Sequence, residues 1–176
     1  CDPEVIDLAE FLNQAGAKIY GAGTPTIVVE GVNNLKAIEY SVMGDRLEAG
    51  TFLMAAMASG GAISVAGSET SHLEIVLKKL REAGAEIKTL KSGITLSAPQ
   101  RVAPVDMVTF PFPGFPTDLQ ACLMAVLTKG SGTSRIRETV FEDRFSHVME
   151  LRRLGADISV AANEATINGV KQLDGA

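Results

Sequence analysis

The sequence predicts an α/β fold in which helices and strands alternate within a repeated unit. Three segments, EFLNQAGAKI, KKLREAGAEI and MELRRLGADI, each contain Leu, three residues, Gly-Ala, one charged residue and Ile. Their glycines, Gly16, Gly84 and Gly155, lie about 70 residues apart, which indicates internal duplication. Segments beginning at Asp45 and Thr117 also match, each with an apolar helix, a Gly-rich turn and a strand. We therefore expect β-α-β-α-β-β units of about 70 residues, with helices and sheets layered around shared cores.

Each unit contains a helix that ends at its glycine, since glycine adopts the left-handed geometry that closes a helix. In the first copy, helical periodicity runs from Ile6 to Leu12 and stops at Gly16. Two short strands are predicted to follow, over 17–20 and 26–32, around the turn GAGTP. The chain is thus expected to hold the second half of one unit and then two complete units.

Composition excludes several classes of protein. The net charge of −5 and the pI near 5.1 disfavour nucleic-acid binding, which needs a basic surface. The longest apolar stretch, Phe52–Gly67, is short and interrupted, so it does not predict a membrane span. No secretory signal precedes the first helix, and two cysteines, Cys1 and Cys122, cannot form a disulfide framework. We therefore expect a cytoplasmic protein and, because the chain opens in a helix without Met, part of a longer one.

The segment FPFPGFPTDLQ, Phe110–Gln120, is predicted to be a rigid loop leading into a helix. Each of its prolines removes a backbone donor and holds the preceding residue extended. Thr117 and Asp118 follow the loop at the position of a helix N-cap. Asp118 is therefore either a cap worth ~1 kcal/mol or a carboxylate fixed in place as a general base. The spacing alone leaves both interpretations open.

A second polar segment, TVFEDRFSH at residues 139–147, has a similar content of Phe. The two segments together hold five of the seven Phe of the chain, which predicts that both line one cleft. Arg144 suits a phosphate or carboxylate ligand, whereas an ion pair with Glu142 or Asp143 is an equally open alternative. Arg46, at the equivalent helix start one unit earlier, is expected to face either a ligand or solvent.

The sequence predicts no metal site. His72 and His147 are isolated from other ligand-forming residues and read as exposed helix positions. The segment KGSGTS, at 129–134, lacks the spacing of a phosphate-binding loop and is predicted to be a helix-to-strand turn. Cys122 lies in an apolar helix and reads as a core residue.

The sequence resembles the UDP-N-acetylglucosamine enolpyruvyl transferase family over essentially its whole length. The resemblance rests on AGTPTIVVEGV, GDRLEAGTFLMAAMASGG, FPTDLQACLMAVL and ETVFEDRFSHVMELRRLGADI. It implies an inside-out α/β barrel of the enolpyruvyl transferase type, with two domains of three repeats closing on substrate. Residues 1–42 would then end the domain that bears the mobile loop of the family, as half a repeat. Residues 43–176 would form most of the second domain, as two repeats.

The resemblance also implies the chemistry. Enolpyruvyl would pass from phosphoenolpyruvate to the 3′-hydroxyl of UDP-N-acetylglucosamine with release of phosphate, the first committed step of peptidoglycan synthesis, without metal or cofactor. Asp118 would be the base at the 3′-hydroxyl. The substrate contacts carried over by motif or by equivalent position fall on Thr117, Val140, Phe141, Glu142, Arg144 and Arg46.

The chain departs from the family at defined points. The Gly-Cys-x-x-Gly-x-Arg-Pro loop that carries the catalytic Cys has no match here. Asp143 stands where the family has Asn, and Gly44 where it has Pro. We therefore expect the chain alone to be inactive and activity to return with the remainder of the protein. The alternatives are a non-catalytic module that binds a nucleotide sugar and a related transferase with another acceptor.

Overall fold

The computed structural model describes residues 1–90 and 93–175; Lys91, Ser92 and Ala176 lie outside the described part. The chain divides into two compact units, Cys1–Gly44 and Asp45–Ala176. Each unit contains helices and antiparallel strands, as the α/β interpretation predicted.

The first unit consists of one helix and one hairpin. Helix α1 (Pro3–Gln14) precedes the antiparallel strands β1 (Lys18–Tyr20) and β2 (Val28–Glu30). Gly16 follows the helix with φ +105°, the left-handed geometry expected where a helix ends. The predicted helix, turn and pair of strands are therefore confirmed.

No strand lies between β2 and the next helix among the described residues, although the repeat predicted one there. Residues 36–43 instead contact α1 and its C-cap. The Tyr40 hydroxyl donates to the Asp7 carboxylate at 2.9 Å, and the Met43 N–H donates to the same oxygen at 3.2 Å. These bonds hold the segment against the helix. It forms no ladder in the described structure, so the predicted strand is wrong.

The second unit begins with a repeat that lacks this first strand. Its elements are α2 (Arg46–Ser59), β3 (Ala62–Ala66), a 3₁₀ turn (Thr70–Leu73), α3 (Glu74–Glu82), β4 (Glu86–Leu90) and β5 (Gly93–Ser97). The strands form an antiparallel sheet in the order β3-β5-β4.

The following repeat has the complete predicted order, β-α-β-α-β-β. Its elements are β6 (Met107–Val108), a 3₁₀ turn (Thr117–Leu119), α4 (Gln120–Leu127), β7 (Thr133–Arg137), α5 (Val148–Arg153), β8 (Asp157–Ala161) and β9 (Glu164–Asn168). The strands are ordered β6-β7-β9-β8, and β6 is parallel to β7. The pairing of β7, β9 and β8 repeats that of β3, β5 and β4, which supports the duplication.

One hydrophobic core runs through the second unit. Helices α2, α3 and α4 contribute apolar side chains that are almost fully buried, and the central strands β5 and β9 contribute Ile94 and Ile167, which have no exposed surface. Burial of this apolar surface is the main term that stabilises the unit. The described residues include no helix with the length and hydrophobicity that a membrane span requires.

Gly50 allows α2 to lie directly on the turn that bears Asp118. A Cβ at this position would overlap Cδ1 of Leu119, whose side chain is 1% exposed. Gly50→Ala is therefore expected to lower the free energy of unfolding by ~1–3 kcal/mol through overpacking, despite the better helix propensity of Ala. Denaturant unfolding of the full-length protein measures this change. Gly31→Ala is the matched control, since nothing lies within 4 Å of its added Cβ; a Gly50→Ala protein as stable as wild type would contradict the close packing.

Candidate functional site

The proline-rich loop ends in a short turn that is anchored in the core. Phe115 is 1% exposed and Leu119, inside the turn Thr117–Leu119, is also 1% exposed. Pro116 has φ −68°, the value that its ring fixes, and ψ 132°, so its backbone is extended. Because Phe115 before the turn and Leu119 within it are buried, the exposed side chain of Asp118 is presented from an anchored backbone.

Asp118 forms an ion pair with Arg144. Nη2 of Arg144 donates to Oδ1 of Asp118 at 2.6 Å, and the two side chains are 42% and 56% exposed. The guanidinium also lies 5.2 Å from the centre of the Phe141 ring. The pair brings the two polar segments together at one site.

Two alternatives from the sequence are thereby wrong. Neither the turn nor α4 has a side-chain capping bond, so Asp118 is not a helix cap. The ion-pair partner of Arg144 is Asp118, 26 positions away, and not its neighbours Glu142 or Asp143. Both expectations relied on residues close in sequence, whereas the fold supplies a more distant partner.

Glu138, which the sequence analysis missed, accepts four hydrogen bonds at the centre of the site. Its Oε1 accepts from the Thr109 hydroxyl at 2.8 Å, the Val140 N–H at 2.8 Å and the Phe141 N–H at 3.2 Å. Its Oε2 accepts from the Thr117 hydroxyl at 2.8 Å. Glu138 is 2% exposed, so a buried carboxylate joins three segments of chain.

The signal for Glu138 was present in the strand that precedes it. Along β7, every second residue points inward, and Ser134, Ile136 and Glu138 are 1%, 0% and 2% exposed. An acid at an inward position is rarely tolerated unless it is paired or hydrogen-bonded. Continuing the alternation by one step would have indicated a buried carboxylate with dedicated donors.

The surroundings of Glu138 shift its pKa. Burial raises the pKa of the carboxyl, but hydrogen bonds from the Val140 N–H, from the hydroxyls of Thr109 and Thr117 and from the Phe141 N–H outweigh it, so the pKa lies below the ordinary 4.5. Since the folded pKa is lowered, the unfolded state binds more protons. The stabilisation is complete above pH 4.5 and is lost as the pH falls through the folded pKa.

We accordingly expect the free energy of unfolding to fall on acidification, from about pH 6 to about pH 3, less steeply in Glu138→Gln than in wild type. The reason is that the amide has no proton to gain. Denaturant unfolding of the full-length protein at a series of pH values measures the two slopes. Glu150→Gln, an exposed position on α5, should keep the slope of wild type, and parallel curves for wild type and Glu138→Gln would contradict the assignment.

A pocket of about 480 Å³ opens beside the end of β7, lined by residues 138–145 together with Ala162 and Asn163. It includes Val140, Phe141 and Glu142, all predicted to contact substrate and all exposed. Asp118 does not line the pocket, but it accepts a hydrogen bond from Arg144, and Arg144 is one of the lining residues.

The predicted aromatic cleft is only partly correct. Phe141 is 53% exposed at the pocket, but Phe115 belongs to the core. Asp143 has φ +54°, a left-handed geometry in which Asn and Asp are enriched among non-glycine residues. This explains why Asp is tolerated where the resembled family has Asn.

Arg46 lies under the proline-rich loop. The residue is 6% exposed, and its guanidinium is 5.2 Å from the centre of the Phe112 ring. The ring of His72 packs edge-on against the same Phe at 6.3 Å. Arg46 therefore does not face solvent, one of the two environments expected for it.

The described residues include no group of three or more His, Cys, Asp or Glu side chains placed to hold a metal ion. His147 is partly buried at the start of α5, and burial lowers its pKa, as does the nearby charge of Arg144. His72 is also partly buried, so the exposed positions predicted for both histidines are wrong. KGSGTS connects α4 to β7, as predicted.

The sequence profile of one family, described as EPSP synthase (3-phosphoshikimate 1-carboxyvinyltransferase), matches residues 1–176. The chain belongs to this family. Among curated members, the UDP-N-acetylglucosamine 1-carboxyvinyltransferases of Thermodesulfovibrio yellowstonii and Myxococcus xanthus are 52% and 50% identical to it, over 99% of this chain and 42% of each relative. That of Brucella ovis is 51% identical, over 99% of this chain and 41% of the relative. The resemblance seen in the sequence is confirmed, and the chain spans about two-fifths of the length of these relatives.

Two solved structures of enolpyruvyl transferases share the fold. The enolpyruvyl transferase NikO from Streptomyces tendae superposes with a TM-score of 0.81 at 24% identity, over 96% of this chain and 41% of that one. EPSP synthase from Acinetobacter baumannii gives 0.57 at 17% identity, over 97% and 40%. The predicted fold of the enolpyruvyl transferase type is confirmed. Within residues 1–90 and 93–175 the strands form open sheets of two, three and four strands and no closed barrel, consistent with a partial fold.

Proposed function

We propose that this chain is part of an enzyme that transfers the enolpyruvyl group of phosphoenolpyruvate to the 3′-hydroxyl of UDP-N-acetylglucosamine. The observation that carries the proposal is the identity of about 50% over 99% of the chain with proteins named UDP-N-acetylglucosamine 1-carboxyvinyltransferase. The reaction releases phosphate and begins peptidoglycan synthesis, on which cell shape and division depend. Its place would be the cytoplasm, and Cys1 and Cys122 are free thiols, as a reducing compartment favours.

Asp118 is proposed as the base at the acceptor hydroxyl. Its Oδ1 accepts from Arg144, whereas its Oδ2 accepts no hydrogen bond within the part of the chain that the structure describes. A substrate hydroxyl placed ~2.6–3.2 Å from Oδ2 can transfer its proton as its oxygen forms the new C–O bond. The buried side chains of Phe115 and Leu119 limit the movement of the turn that bears Asp118, which favours such a placement.

The 3′-oxygen bonds to C2 of phosphoenolpyruvate while the methylene carbon takes a proton from an acid. That carbon then returns a proton to the deprotonated acid as the C–O bond to phosphate breaks, which restores the double bond and releases phosphate. We propose that the rest of the protein supplies the acid, because this chain lacks the Gly-Cys loop of the resembled family. Arg144 would stabilise the negative charge of the transferring group.

The proposed substrate-binding residues differ in the groups that are free to contact substrate. The N–H groups of Val140 and Phe141 already donate to Glu138, so these two residues would contact the UDP-sugar through side chains and carbonyls. Glu142, exposed in the pocket, and Thr117, half-buried beside Asp118, would complete the polar surface.

We also propose that Arg46 contacts a substrate from beneath the proline-rich loop, where its guanidinium lies against the Phe112 ring. Residues 1–42 are proposed to end the loop-bearing domain, and residues 43–176 to form most of the second domain. The remainder of the chain would be the partner of both.

An assay of the full-length protein tests the proposal. With phosphoenolpyruvate and UDP-N-acetylglucosamine we expect phosphate release and a UDP-sugar whose mass has increased by one carboxyvinyl group. An acceptor without the 3′-hydroxyl should give neither product. Transfer to a different alcohol would favour a related transferase. Saturable binding of the UDP-sugar without phosphate release would favour a non-catalytic module and overturn the proposal.

A further inference from the structure

We propose that Glu138 is a positioning residue that fixes the turn bearing Asp118 against the wall of the pocket. The inference rests on the proposed function, since it assigns the geometry on which the base depends. Glu138 lies at the inner edge of the pocket lining but is 2% exposed, and both of its carboxylate oxygens already accept hydrogen bonds, so it acts through the residues that it binds.

The donors to Glu138 come from three segments that are separate in sequence. Thr109 follows β6, Thr117 begins the Asp118 turn, and Val140 with Phe141 follows β7. All four donor–acceptor distances lie between 2.8 and 3.2 Å. One carboxylate therefore sets the spacing between the turn and the pocket wall.

The backbone of Glu138 is itself fixed. Its N–H donates to the Asn163 carbonyl at 2.8 Å, and its carbonyl accepts from Nδ2 of Asn163 at 3.0 Å. Next to it, the Thr139 N–H donates to the Thr109 hydroxyl oxygen at 2.9 Å. The side chain of Glu138 thus extends toward Thr117 from a backbone that hydrogen bonds hold in place.

Thr117 links Glu138 to the proposed base, Asp118. Its hydroxyl is the group in the turn that bonds to Glu138, and Asp118 is the next residue. A displacement of ~1 Å in a catalytic group can reduce turnover about 10²-fold. Loss of Glu138 should therefore lower kcat more than it weakens substrate binding.

Three substitutions in the full-length protein separate geometry from charge. Glu138→Ala removes all four acceptor bonds, and we expect kcat to fall ~10²-fold. Glu138→Gln keeps the length of the side chain. Its amide oxygen can accept from Thr109, Val140 and Phe141, and its NH₂ can donate to the Thr117 hydroxyl, which accepts as well as donates. Gln should therefore restore most of kcat.

Glu138→Asp keeps the charge but shortens the side chain by one methylene, so it cannot span all the donors and should not restore kcat. KM for both substrates should change less than kcat in all three variants. Glu150→Ala, exposed on α5, is the matched control and should leave kcat unchanged. Denaturant unfolding gives the folded fraction by which each kcat is corrected.

A second measurement does not depend on turnover. Amide hydrogen exchange of the peptide 139–145 should be faster than wild type in Glu138→Ala and close to wild type in Glu138→Gln. If the wild-type protein transfers no carboxyvinyl group, the proposed function fails and exchange alone decides the positioning role.

Three results would overturn the inference: a corrected kcat for Glu138→Ala within about twofold of wild type, where loss of positioning predicts ~10²-fold; rescue of kcat by Asp and not by Gln; or unchanged exchange in Glu138→Ala.

Discussion

Asp118→Asn is expected to lower kcat of the full-length protein ~10²–10⁴-fold, the range found when a general base is removed. The amide keeps the shape of the side chain and an oxygen that can accept from Arg144, but it cannot take the proton of the 3′-hydroxyl. Because Asp118 is exposed and lies outside the core, the free energy of unfolding should stay close to that of wild type. Steady-state phosphate release at saturating substrates measures the loss.

The control for this prediction is Asp157→Asn. Asp157 is exposed on β8, and its carboxylate accepts a hydrogen bond from Asn168 at 3.1 Å. Asp157→Asn is therefore the same replacement of an exposed, hydrogen-bonded carboxylate, made away from the site. Its kcat should equal that of wild type. If Asp118→Asn kept more than about a tenth of kcat, the proton would have another acceptor and the role of Asp118 would be wrong.

Arg144→Lys is expected to lower kcat/KM on the order of 10²-fold, although the charge is kept. The planar guanidinium can bind Asp118 and a second anionic group together, whereas an ammonium is a point charge on a flexible stem. Lys also has a weaker interaction with the Phe141 ring, against which the guanidinium lies at 5.2 Å. Kinetics with each substrate varied in turn measures the change.

The same substitution should barely alter stability. Both side chains of the ion pair are about half exposed, and such pairs contribute ~0–1 kcal/mol to folding. Arg153→Lys, on an exposed pair with Glu150, should change neither stability nor activity. A large loss of stability with little loss of kcat/KM in Arg144→Lys would mean that the pair is structural.

The repeat was predictable because its signals are local. A glycine that ends a helix and apolar residues that follow the helical or strand period lie within about ten residues of one another. Gly16, Gly84 and Gly155 all have positive φ. The predictions that rest on these local signals, such as the three helix ends, are therefore correct. The strand predicted before α2 is absent, and Tyr40 and Met43 of that segment bond instead to Asp7, more than 30 residues earlier.

The site was only partly predictable because its bonds join distant residues. The sequence pointed to Asp118 and Arg144 separately, but nothing local indicated that they pair. The alternation along β7 indicates that Glu138 is buried, but it does not identify the groups that bond to it, because Thr109 and Thr117 lie 29 and 21 residues away. A buried carboxylate requires such partners.

The most direct test of the account is a crystal structure of the full-length protein with UDP-N-acetylglucosamine bound. The measurement is the distance from the 3′-oxygen of the sugar to Oδ2 of Asp118. We expect ~2.6–3.2 Å, the range within which a base accepts a proton, with the uridine diphosphate sugar against Val140 and Phe141. A sugar bound away from these residues, with its 3′-oxygen out of hydrogen-bonding reach of Asp118, would contradict the account.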